Sequence, residues 1–81
     1  MEKPLQFTRS SRKHRVGRAN ARHVIATGTL DVGQRLAGGD VMMSWVGNDL
    51  RGRELEVVAV VKPDCILVIH VMPTYYRKGR R

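Results

Sequence analysis

Eighty-one residues, 42% of them hydrophobic, are enough for one small domain with a single thin core and not for two. The one cysteine, Cys65, excludes an internal disulfide framework, no CxxC or His/Cys cluster offers a zinc site, and no apolar run approaches the roughly 18 residues of a membrane span. The net charge of +8 sits at two ends: residues 1–22 hold seven cations against Glu2, residues 23–74 hold four cations against six acids, and Arg77, Lys78, Arg80 and Arg81 follow.

Clustered Lys and Arg predict a polyanion partner, because neutralising phosphates releases their counterions and gives strong, salt-sensitive binding. An acidic protein partner would satisfy the same clusters. No continuous apolar segment of signal-peptide type follows the basic start, so the expectation is a soluble protein in a reducing cytoplasm, with no cofactor, metal or membrane contact.

Residues 1–8 read as a flexible arm or a short edge segment ahead of a single domain, with residues 77–81 as a basic tail. From Ser10 or Ser11 a short basic helical turn runs through Arg15, with serine as its cap. Gly17 interrupts it, and RANARHVIAT, residues 18–27, reads as a helix with Ala21, Val24 and Ile25 on one face and Arg18 and Arg22 on the other. Taking Gly17 as N-cap places Val16 and Ala21 as a hydrophobic staple, and Gly28 stands where the chain leaves the helix. Leu30 and Val32 allow a short strand before the AGGD turn. VMMSWVG (41–47) alternates as a strand, NDLRG is a turn, and RELEVVAVV (53–61) and CILVIHVM (65–72) are two strands joined at Lys62-Pro63-Asp64.

The register of that last hairpin decides where His70 points, since a one-residue slip sends each side chain to the opposite face. A two-residue loop pairs Lys62 with Cys65 and sets His70 beside Val57, in the core. A three-residue loop with Cys65 bulged pairs Lys62 with Ile66 and sets His70 opposite Val58, near Glu56. The second register is expected, because a type I turn at Pro63-Asp64 needs an extra residue to match the strand twist. It puts Leu55, Val57, Ala59, Val61, Leu67, Ile69 and Val71 under the helix. A histidine in an apolar strand serves as well for structure as for chemistry, and Glu54 and Glu56 fit the solvent side of an edge strand.

The order of elements, from "RKHRVGRANARHVI" to "WVGNDLRGRELEVVAVVKPDCILVIHVMPTYYRKGRR", resembles the small toxins of the RelE/ParE superfamily of bacterial toxin–antitoxin pairs, nearest in style to BrnT-like toxins. Lys13 and His14 match the KH of that family's KHG-type turn, with Arg15 in place of its glycine. The resemblance implies an α+β fold: a small antiparallel sheet of three to four strands with one or two N-terminal helices packed on one face. It also implies a metal-independent ribonuclease acting on messenger RNA and held inactive by a cognate antitoxin protein.

In-line attack of a ribose 2′-OH on the next phosphate needs a base, cations around the phosphate, and an acid for the leaving oxygen. His70 or Glu56 is the candidate base and His14 or Tyr76 the candidate acid. Lys13, Arg15, Arg18, Arg22, Arg53, Arg77 and Lys78 are the candidate RNA-binding residues. ParE-type relatives bind gyrase instead, and a non-catalytic basic module that binds nucleic acid or the antitoxin would keep the charge without needing the His/Glu pairing.

Overall fold

Two alternating apolar segments, ELEVVAVV and ILVIHVMP, form the centre of the molecule, because each offers one wholly apolar row to a helix and has hydrogen-bonding neighbours on both edges. In the computed structural model, which describes residues 3–12 and 14–75, the elements run β1 (Leu5–Phe7), a single 3-10 turn (Ser10–Arg12), α1 (Arg18–Thr27), β2 (Thr29–Arg35), β3 (Val41–Asn48), β4 (Glu54–Val61) and β5 (Ile66–Pro73). The strands make one five-stranded sheet in the order β1-β5-β4-β3-β2. β1 lies parallel to β5, and the other pairings are antiparallel.

This corrects the expected sheet of three to four antiparallel strands under one or two helices. Among the described residues five strands form a mixed sheet, and α1 is the one α-helical element. The added strand is β1, three residues whose partner lies about sixty residues further on, with Leu5 opposite Ile66 and Phe7 opposite Val68. Parallel pairing at such separation leaves no local pattern.

The helix itself follows the expectation, spanning Arg18–Thr27 with Gly17 as N-cap and Gly28 at its end. Ala21 and Val24 are buried against Leu55, Val57 and Ala59 of β4 and Val68 and Val71 of β5, and Val16 joins the same cluster. The C-terminal end of α1 comes down on β3 where Gly47 has no side chain: a Cβ there would lie 2.8 Å from the Cα of Gly28.

The β4–β5 hairpin combines the two registers considered. At the loop, the Lys62 N–H donates to the Cys65 carbonyl at 2.8 Å, and Val61 pairs with Ile66, so the loop has two residues. Cys65 is therefore paired and buried, not bulged. The expected bulge needed a residue with positive φ, which a non-glycine side chain resists, and among the described non-glycine residues Arg15 is the one that adopts it.

The extra residue appears instead at Ile69, between the pairs Ala59/Val68 and Val58/His70. The neighbouring chain takes up the carbonyls there: Ser10 Oγ donates to Ile69 O at 3.1 Å, and the Thr8 amide to Val68 O at 3.0 Å. The bulge changes the phase of β5. Ile66, Val68, Val71 and Pro73 face the helix, and Leu67, expected in the core, pairs with Val60 on the other side. His70 pairs with Val58, as expected, and stands on that open side.

Candidate functional site

Alternation along β4 and β5 gives the open side of the sheet Glu56, Val58 and Val60 beside Leu67, His70 and Met72. His70 is opposite Val58 and Glu56 opposite Met72, so the two polar side chains are diagonal neighbours. Their closest atoms, His70 Nε2 and Glu56 Oε1, are 3.6 Å apart, an ion pair when the imidazole is protonated. The separation exceeds a direct hydrogen bond, and a small side-chain adjustment closes it. Glu56 is the more enclosed of the two, with 17% side-chain exposure against 37% for His70.

The N-terminal segment brings His14 to the same place. Thr8 and the serines after it are its anchor: Ser11 Oγ donates to Thr8 O at 2.7 Å, Thr8 Oγ1 and Ser10 Oγ are 3.0 Å apart, and Ser10 is also bound to the bulge at Ile69. Ser11 is buried. The chain then turns sharply through Arg15, in the left-handed region at φ 58°, with its amide bonded to Arg12 O. His14, next to that turn, sets its ring edge-on to His70, the centroids 6.4 Å apart and the planes at 82°.

Three residues from separate parts of the sequence, His14, Glu56 and His70, thus converge on one edge of the open face. Two imidazoles with centroids 6.4 Å apart are near enough for one group beside the pair to come within hydrogen-bond reach of both. Exposed Arg9, Arg12 and Arg15 belong to the same turn as His14. The chain matches no family model, no curated protein and no solved structure. Among the described residues no group of three His, Cys, Asp or Glu side chains is placed to hold a metal ion, and no helix is long and apolar enough to cross a membrane.

The other candidate residues divide. Arg18 and Arg22 do not simply point outward: both guanidiniums lie over the ring of Phe7, each 5.8 Å from its centroid, where the ring quadrupole attracts them. Arg53 is occupied elsewhere. Its Nε donates to Asp49 Oδ2 at 3.1 Å, while Asp49 Oδ1 accepts the amides of Arg51 and Arg53 at 2.9 Å each. Burial works to raise the Asp49 pKa and is the largest single influence, but the two amides, the guanidinium hydrogen bond and its charge together hold the carboxyl below its ordinary range. Arg53 thereby locks the turn between β3 and β4. Lys13, Tyr76, Arg77 and Lys78 lie outside the described residues.

Sequence reasoning did not find the hydroxyl anchor of Thr8, Ser10 and Ser11. The signal for it was present in the run TRSS, where short hydroxyl side chains bond nearby backbone and fasten turns.

Proposed function

We propose that this chain is a metal-independent ribonuclease, the toxin of a toxin–antitoxin pair, acting on messenger RNA in the cytoplasm. The convergence of His14, His70 and Glu56 is the observation that carries the reading. An imidazole can both accept and donate a proton, and two of them side by side are suited to remove one proton and return another.

In the proposed reaction His70, steadied by the Glu56 carboxylate, takes the proton of a ribose 2′-OH. The 2′-oxygen bonds to the adjacent phosphorus, the bond from phosphorus to the 5′-oxygen breaks, and His14 as imidazolium donates a proton to that leaving oxygen. The products are a 2′,3′-cyclic phosphate and a free 5′-OH. Arg9, Arg12 and Arg15 supply positive charge for the phosphate and for the charge that grows on it in the transition state.

Incubating the purified protein with RNA in the presence of a metal chelator, then identifying the new ends, tests the reading. His70→Gln and His14→Gln should each slow cleavage by about 10²- to 10⁴-fold while RNA affinity and melting temperature stay near the parent values. Folded variants that cleave at the parental rate would refute the assignment.

A further inference from the structure

On the helix side of the sheet, where the end of α1 passes over β1 and the start of β5, lies an open cleft of about 370 Å³ lined by Lys3, Leu5, Arg22, Ile25, Ala26 and Ile66. Its size is at the lower end of the roughly 300–1,000 Å³ of small-molecule pockets. Four of the six lining side chains are aliphatic, and the other two are cations from different elements.

Neither cation is loosely placed. Lys3 Nζ donates to the Lys62 carbonyl at 2.8 Å, which ties it to the β4–β5 loop and leaves two of its three donors for another acceptor. Arg22 is held by Phe7 at 5.8 Å from the ring centroid. Two positioned cations beside an aliphatic floor suit a ligand with a flat apolar body and an anionic group attached to it.

The positive charge does not end at the cleft. Lys3 and Arg22 line the cleft, Arg22 and Arg18 lie over Phe7 of β1, and the exposed Arg9, Arg12 and Arg15 belong to the segment between β1 and α1 that carries His14. An isolated small ligand has no need of those further cations. A single-stranded polyanion does, with a charge at every repeat and a base beside each charge. Ile66 at the cleft and His70 are four residues apart on β5, at most about 13 Å along the backbone at some 3.3 Å per residue, with the bulge at Ile69 between them and their side chains on opposite faces.

We infer that the cleft is a base-binding subsite: it holds one unpaired nucleobase of the RNA against Leu5, Ile25, Ala26 and Ile66, its phosphate on Lys3 and Arg22, a few nucleotides along the strand from the bond at His14 and His70. This rests on RNA being the substrate. It adds a second point of attachment, on the opposite side of the sheet, with the strand crossing the three-residue β1 edge between them.

The test is a binding titration by fluorescence anisotropy, using the full chain carrying His70→Gln to suppress cleavage. The probe is a single-stranded RNA of about 12 nucleotides, within the roughly 4–16-nucleotide sites of single-strand binders, remade with one abasic residue at each position in turn. One position should weaken binding about five- to tenfold, with the others within about twofold. Ala26 is exposed on α1, so its replacement fills the cleft without touching the core. Adding Ala26→Arg should abolish the single-position effect and weaken intact RNA by up to about the same five- to tenfold, less whatever the added charge returns, and adding Ala26→Glu should weaken intact RNA further by opposing Lys3 and Arg22. A flat abasic profile with RNA still bound, or a position effect that persists with Ala26→Arg, would overturn the subsite and leave the ribonuclease reading intact. Absence of any RNA binding by the parent would overturn both.

Discussion

Replacing Gly47 by alanine tests how closely the end of α1 is seated on the sheet. A Cβ at position 47 would lie 2.8 Å from the Gly28 Cα and 3.8 Å from Val24 Cγ1. Carbon atoms rest at about 3.5–4.0 Å, so the helix end must lift by roughly 0.7–1.2 Å or the strand must bend. Gly47 does not have positive φ, so its backbone suits alanine and the change costs nothing by strain. Overpacking costs about 1–3 kcal/mol, and because the atom met is backbone, which cannot swing aside, the upper half of that range, about 2–3 kcal/mol, applies; the lost flexibility of glycine returns about 0.5–1 kcal/mol, for a net loss of about 1–2.5 kcal/mol. At some 4–8 °C per kcal/mol for a domain this small, thermal denaturation followed by circular dichroism should show the midpoint falling by roughly 4–20 °C. Gly33→Ala is the control, since nothing lies within 4 Å of a Cβ there; its midpoint should stay within a few degrees. A Gly47→Ala protein that melts with the parent, or a Gly33→Ala protein that falls equally far, would refute the argument.

Asp49→Ala removes the acceptor of two backbone amides and the Arg53 Nε, and should destabilise the chain by roughly 2 kcal/mol or more in urea unfolding. Because the Asp49 pKa is lowered from 3.8 on folding, its contribution is fully present above about pH 4 and is lost as pH falls through the folded value, so the acid limb of the stability profile should flatten in Asp49→Asn. Deleting Ile69 removes the bulge yet keeps Val68 opposite Ala59 and the histidine opposite Val58; the variant should fold, and cross-strand nuclear Overhauser contacts should show the regular ladder. RNA affinity should fall steeply with salt, the log–log slope being about −0.7 per phosphate engaged on a single strand, and a flat titration would exclude phosphate contacts as the source of binding.

The helix was legible because two glycines bracket a ten-residue amphipathic run and Val16 and Ala21 form its staple. β3, β4 and β5 were legible from alternation. β1 was legible only as one of two alternatives, an arm or a short edge segment; its parallel partner was not, because three residues pairing with residues 66–68 carry no pattern of their own. The hairpin is half legible: a bulge at Cys65 and the observed bulge at Ile69, where Ser10 captures the carbonyl, both set His70 opposite Val58, so the face follows from the sequence and the position of the extra residue does not. That displacement moved Leu67 out of the expected core. At the site, the Glu56/His70 pairing followed from the register, but the approach of His14 depends on β1 and its serine anchor, which are long-range. Arg53 looked like a phosphate ligand on charge alone, and only the geometry of the NDLRG turn shows Asp49 holding it.

The pairing of β1 with β5 also dictates an order of assembly. Closing a loop of 61 residues between Leu5 and Ile66 costs about 3.6 kcal/mol in chain entropy by the (3/2)RT ln n rule, before any constant, whereas the β4–β5 hairpin closes over two residues. Three residues of parallel edge strand return little until β5 is already in place, so β1 docks last, onto a nucleus of helix and antiparallel strands. His14 travels with that final step. A nascent chain therefore emerges with its histidines apart, and a partly opened molecule separates them first while the core stays folded. Pulse-labelled hydrogen exchange during refolding should show the amides of β4 and β5 protected before those that join residues 5–8 to the sheet.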